Sequence, residues 1–368
     1  MVEKGKITAL QMGIMMYPTI IATAILIVPG ITAEKAHLDL WVSPIWASIV
    51  GYTTVLVMCA LNRIYPEETI IQYMNRIIGR IPGKAISFFI LVFYLHVTGV
   101  IIKEYAEFIS GVFLTRTPLL VLISSLTLVC AFAVRSGIEV VARLSELIVP
   151  IILFIVVLLI ILLLPNLEIR RMFPMFEDGI MPSIKGALSP MGWFSEFALI
   201  TFMLPFLVNR KKGLKMAMMS MFFVSFTLVM VNFVLLFLVG GGVANILYPF
   251  MTAIRYISIA DFFEHVESLV MAIWVMGAFL KISVFYYSLS LGTAQWLNVS
   301  SIRHVVFPIG ILLVLFTYWT PPTLPGLSHY LGSLLPYILM GFQTGLPLLL
   351  LMIAYLRSRS MRKRVVNK

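Results

Sequence analysis

Lys281 is the residue whose position most demands a chemical role. It lies within an apolar run, VMGAFLKISVFYY, with no acid near it in sequence. An ammonium at that depth loses its water, so it needs a carboxylate or backbone carbonyls as partners. Ionisable groups inside membrane spans are costly and are functional candidates by default. The i, i+4, i+8 spacing places Gly277, Lys281 and Phe285 on one helical face. The bland alternative is a lysine that snorkels to the inner interface. Glu196 follows the sequence Ser189-Pro190-Met191-Gly192 in a separate apolar run. Three readings of it stay open: a partner for Lys281, an acceptor for a ligand's amino group, or a carboxyl kept protonated by apolar surroundings.

Lys103, Glu104 and Glu107 form a further charged group in the outer half of another apolar run. Lys103 and Glu107 are i, i+4 neighbours, which favours a structural ion pair over a ligand gate. Phe93 and Val97 share a face mid-run and could line a pocket. His96 reads as a hydrogen-bonded core residue rather than a proton relay. Glu267 reads as a structural charge near the outer end of the run that carries Lys281. Enzyme chemistry has no foothold: there is no Walker A sequence, no HExxH and no clustered Cys/His set, so neither a cofactor nor a metal is expected. Cys59 and Cys130 fall inside apolar runs and read as small core residues rather than a disulfide.

The elements that must position these residues are membrane helices. Hydrophobic residues make up 61% of the 368 and charged residues 12%, the composition of a polytopic helical membrane protein. Ten apolar runs are long enough to cross a bilayer: 7–32, 41–64, 84–114, 118–134, 138–164, 180–208, 214–241, 262–291, 303–320 and 328–356. The fold class expected is therefore all-α, with ten transmembrane helices in a single integral membrane domain. The first run is too long for a signal peptide and lacks a small-residue cleavage site, so it reads as span 1 itself. The net charge of +11 is concentrated in alternate loops, among them 76–84, 209–215 and the basic tail 357–368. That is the positive-inside pattern, with both termini cytoplasmic. It argues for the lipid bilayer, and against nucleic acid, as the partner of the basic residues.

Two runs are expected to be interrupted. The first carries Pro18, with Ala22-Thr23-Ala24 where a glycine pair would mark unwinding; the sixth carries Ser189-Pro190-Met191-Gly192. Unsatisfied backbone in lipid costs several kcal/mol, so broken helix is tolerated only where it is buried or lines a cavity. The breaks fall five spans apart, in corresponding positions of two halves at about 7–164 and 180–356. That pattern predicts a five-plus-five inverted repeat with a midplane site for a small polar solute. Thr23, Pro190 and Gly192 are candidate ligand contacts on this reading. Of the loops, 66–80 reads as an amphipathic helix starting at Pro66. Segment 242–261 reads either as an outer lid of short helices or as an ordinary loop.

The residues also carry a resemblance. The stretch Ile259-Ala260-Asp261-Phe262-Phe263-Glu264-His265-Val266-Glu267-Ser268-Leu269, with Ile273-Trp274-Val275-Met276 and Phe279-Leu280-Lys281-Ile282-Ser283-Val284 after it, is the most specific part. Ala24-Ile25-Leu26-Ile27-Val28-Pro29, Phe113-Leu114-Thr115-Arg116-Thr117-Pro118 and Leu204-Pro205 add to it by order and spacing. Together they resemble the B subunits of GerA-type spore-germination nutrient receptors, in the amino acid–polyamine–organocation superfamily. The resemblance implies a LeuT-like ten-span fold with discontinuous spans 1 and 6. It implies a nutrient germinant, usually an amino acid, bound by Ala22, Phe93, Val97, Glu196, Lys281 and Phe285. It also implies A-type and C-type partner subunits and a place in the spore inner membrane. Ala22 departs from relatives that can carry glycine there, which narrows the space beside the ligand. The rival reading is a proton-coupled amino-acid symporter or permease on the same scaffold.

Overall fold

The computed structural model describes residues 3–257 and 266–366, and among these it is helical throughout, with one isolated bridge between Ile7 and Leu207. At the centre lies α1 (Ala9–Ala36). Its start is set by a capping box: Thr8 Oγ1 accepts from the Gln11 backbone N–H at 3.1 Å, and Gln11 Oε1 accepts from the Thr8 N–H at 2.8 Å. Nearly every α1 side chain is buried, because α6 (Ile138–Leu163), α7 (Met181–Ser195), α8 (Gly213–Val239) and α10 (Val266–Leu297) pack around it. Around these stand α2 (Ser43–Ile64), α4 (Arg80–Val112), α5 (Leu119–Arg135) and α11 (Val306–Thr317). Helices α13 (Leu335–Met340) and α14 (Leu346–Val366), joined by a π-turn at Gly341–Gly345, lie against α7 and α2. Outward faces carry Leu120, Leu128, Phe132, Phe154, Phe222 and Phe226, all exposed. An apolar exterior of this kind matches lipid rather than water.

Among the described residues, seven helices are long and apolar enough to cross a membrane. The runs expected at 118–134 and 303–320 form shorter apolar helices, α5 and α11. The run expected at 180–208 is divided. Helix α7 ends at Ser195, and the chain continues as a 3₁₀ helix over Glu196–Phe202.

The two breaks need correcting. Span 1 is continuous: α1 runs unbroken through Pro18 and Pro29. Pro18 removes one backbone donor, the one the Ile14 carbonyl would accept, yet the surrounding helices hold α1 in its course, and Ala22-Thr23-Ala24 has no glycine to favour unwinding. In span 6 the helix also passes through Ser189-Pro190-Met191-Gly192, and the change comes one turn later. There Ser195 Oγ donates to the Gly192 carbonyl at 2.6 Å, the acceptor an α-helix would offer to the Glu196 N–H. The Glu196 N–H turns instead to the Trp193 carbonyl, and a 3₁₀ course begins. Seven residues is long for a 3₁₀ stretch, which is seldom sustained beyond 3–4 residues and in mid-helix often marks a hinge.

Segment 66–80 forms α3 (Ile70–Ile78), as its apolar stripe predicts, but the helix starts later than Pro66. Thr69 is the N-cap, boxed with Gln72, and its hydroxyl donates to Gln295 Oε1 of α10 at 2.5 Å. Ile70, Ile71, Met74 and Ile77 are buried. Thr69→Ala should cost about 1–2 kcal/mol, seen as lower thermal stability in detergent, with Thr69→Ser close to wild type. In segment 242–261, read either as a lid of short helices or as an ordinary loop, the described residues form the end of a 3₁₀ turn (Gly240–Asn245) and α9 (Pro249–Ile254). A last short helix, α12 (Leu324–Gly332), lies near the C-terminal end of α1. Residues 258–265 lie outside the described residues; they hold the end of the expected lid and the Ile259–His265 part of the resemblance. The side chain of Glu267 and those beyond Arg357 also lie outside them.

Candidate functional site

The 3₁₀ stretch delivers Glu196 to the middle of the bundle, where α1 and α10 meet it. Lys281 Nζ lies 2.9 Å and 3.2 Å from the two Glu196 carboxylate oxygens and 2.8 Å from Thr23 Oγ1. Three acceptors thus meet the three ammonium protons. Lys281 is 0% exposed and Glu196 2%, so the snorkelling reading fails and the pairing reading of Glu196 holds. The acceptors are side chains, not the bare carbonyls an unwound span 1 would offer, because α1 stays helical. Trp193 Nε1 also donates to Thr23 Oγ1, at 3.0 Å. The ammonium sits 5.7 Å from the centre of the Phe285 ring, within cation–π range. Four expected residues, Thr23, Glu196, Lys281 and Phe285, therefore meet in one constellation.

The others take different places. Ala22 packs against α10: a Cβ added at Gly277 would lie 3.1 Å from the Ala22 Cβ. Phe93 stacks on Phe342 with ring centres 4.6 Å apart, while its neighbour Tyr94 meets Phe285 edge-on at 6.2 Å. Val97 and Pro190 are buried. Gly192 is a contact between helices, with room for no Cβ against Pro336. Lys103 and Glu107 pair at 2.8 Å, the structural reading. His96 Nε2 bonds the Tyr330 hydroxyl at 2.9 Å, as a core histidine does.

Two residues escaped the sequence reading as members of this neighbourhood. Trp193 carries no spacing that ties it to Thr23. Glu104 was grouped with Lys103 and Glu107, yet it lies in electrostatic reach of Lys281 and Glu196. It is 3% exposed, and among the described residues its Oε1 has no hydrogen-bond partner. An unpaired buried carboxylate oxygen is the only signal that could have marked it, and that signal requires coordinates.

A family described as spore germination protein, the spore permease family, matches residues 6–323 of this chain. The chain belongs to that family. Spore germination protein YndE of Bacillus subtilis (strain 168) is 26% identical over 358 residues, covering 96% of this chain and 98% of the relative. Spore germination protein KB of the same organism is 22% identical over 367 residues, covering 98% of each. Among solved structures, the chain is similar to Mhp1, a nucleobase-cation-symport-1 family transporter, in a closed conformation with bromovinylhydantoin bound. That similarity has a TM-score of 0.69 at 12% identity over 94% of this chain and 78% of Mhp1. It is also similar to MhsT in complex with L-phenylalanine, with a TM-score of 0.60 at 12% identity over 96% and 99% of the two chains. These likenesses show the fold: this spore germination protein has the helical, LeuT-like architecture of solute transporters. It is a multi-pass membrane protein of the germination receptor and permease-like kind, not an enzyme.

Proposed function

We propose that this chain is the membrane subunit of a spore germinant receptor. It holds a small nutrient, an amino acid, at the bilayer midplane beside the Lys281–Glu196 pair, and partner subunits of the A and C types read the resulting change. The carrying observation is the buried constellation of Lys281, Glu196 and Thr23 at the start of the 3₁₀ stretch, in a chain of the spore germination family. One structural neighbour is described as a Na⁺-coupled sialic acid symporter; in this chain Lys281 supplies a fixed positive charge in place of a bound cation. Ala22, Thr23 and Phe285 flank the ligand. The ten crossings are the seven long helices, α5, α11, and α7 with its 3₁₀ continuation, organised as repeats at about 7–164 and 180–356. Both termini are cytoplasmic, and the membrane is the spore's inner one.

The Glu196–Phe202 stretch is the element that moves. A 3₁₀ helix rises about 2.0 Å per residue against 1.5 Å for α, so its conversion would shorten the segment by roughly 3–4 Å. A ligand shifts such an equilibrium only as far as it favours one state. Spores lacking this chain should lose their response to at least one nutrient amino acid and regain it on complementation. Unchanged germination on every amino acid, with the chain absent, would overturn the proposal.

A further inference from the structure

Lys281 already occupies Glu196, so the amino group of a zwitterionic ligand needs another acceptor. Glu104 on α4 has one: its buried Oε1 is unpartnered among the described residues. One turn further along α4, Phe108 packs against Trp274 of α10 with ring centres 5.2 Å apart, and against Tyr248 at 5.0 Å. Tyr248 in turn lies in electrostatic reach of Glu104 and Glu107. Trp274 is 4% exposed, and among the described residues its Nε1–H has no acceptor. An unpaired acceptor and an unpaired donor therefore flank the same aromatic group, between the Lys281–Glu196 pair and the outer turn that leads into α9. Leaving either unmet costs free energy that a ligand of matching polarity would recover.

We propose that Glu104 and Trp274 form the two ends of an α-amino acid subsite, with Glu104 Oε1 accepting from the ligand's ammonium and Trp274 Nε1 donating to its carboxylate. This rests on the receptor reading above and names the contacts that give it amine selectivity. Phe108, Tyr248 and Phe250 supply aromatic faces, which favour a cation between them. Lys103 is held by Glu107 at 2.8 Å, away from the role of counter-ion to Glu104. The adjoining cleft, lined by Tyr17, Ala22, Phe250, Trp274 and Gly277, has about 20 Å³ free, little more than the space one water needs. A solute larger than water therefore needs these walls to part, and α9, whose Phe250 forms part of the cleft wall, is a short element among them.

The test is saturation binding of a radiolabelled amino-acid mixture to the purified full chain in detergent. The corresponding hydroxy acids, in which a hydroxyl replaces the amine, serve as competitors. Wild type should bind the mixture, and the hydroxy acids should compete more than about tenfold more weakly. Glu104→Gln and Trp274→Phe should each weaken binding by more than about tenfold while the unliganded protein keeps its melting temperature. Unchanged binding by Glu104→Gln, or equal competition by the hydroxy acids, overturns the subsite and leaves the receptor reading standing. If Glu104→Gln fails to fold, the hydroxy-acid competition on wild type decides alone. Absence of any amino-acid binding by wild type overturns both this inference and the amino-acid reading beneath it.

Discussion

Lys281→Met is expected to abolish the germination response and to destabilise the protein by about 3–5 kcal/mol. The substitution keeps most of the side chain's volume but leaves the Glu196 carboxylate, 2% exposed, without its counter-ion. A buried charge stripped of its partner costs far more than the pair itself contributes. The double variant Lys281→Met with Glu196→Leu separates architecture from function. Replacing both members of a buried pair with apolar groups is commonly neutral or even stabilising, so its melting temperature should return close to wild type. Thr23 Oγ1 keeps a donor in Trp193 Nε1 at 3.0 Å, so no other hydroxyl is orphaned in the exchange. The response should nevertheless stay absent. A double variant that germinated normally would reduce the pair to a structural device.

Gly192→Val is the second large effect, expected to cost about 1–3 kcal/mol through overpacking. A Cβ at 192 would sit 2.8 Å from the Pro336 Cα and 3.2 Å from Leu339 Cδ1. The first of these is backbone, so relief requires α13 to move. Helix α13 leads directly into the π-turn that carries Gln343, whose side-chain amide lies within hydrogen-bond distance of Ser195 Oγ, at 2.8 Å. Ser195 is the residue at which α7 gives way to the 3₁₀ stretch. Gly192→Val should therefore lower the melting temperature and shift nutrient sensitivity, with the choice of nutrient unchanged. Gly111→Ala is the matched control, since nothing lies within 4 Å of the added Cβ; it should stay within about 1 kcal/mol of wild type. A Gly192→Val protein that kept its stability and changed its nutrient preference would place residue 192 in the ligand site.

Local patterns were legible in the sequence, and contacts between distant segments mostly were not. The apolar runs, the Lys103–Glu107 pair and the α3 stripe each depend on neighbours within a turn or two, and periodicity captures these. The pairing of Glu196 with Lys281 was one of three open readings, because spacing gives the face of each helix but not which helix stands opposite. Glu104 shows the same limit: adjacency to Lys103 and Glu107 in sequence hid its approach to Lys281 across the bundle. The breaks were misplaced for a different reason. Proline and glycine mark where a helix is weak, whereas the actual break follows a hydroxyl, Ser195 Oγ, taking the carbonyl that the next turn needed. In span 1 the weak position did not break: α1 continues through Pro18, although the Ile14 carbonyl loses its donor there. Buried helix tolerates such a loss because surrounding helices hold the backbone in place.

The measurement that bears most directly on the central claim is made with the purified chain in proteoliposomes. A labelled amino-acid mixture is supplied with and without an imposed proton gradient, and binding and uptake are followed in parallel. The result expected of a nutrient sensor is saturable binding, lost in Lys281→Met, with no accumulation under either condition. Gradient-dependent accumulation inside the vesicles would contradict it and make the chain a proton-coupled symporter.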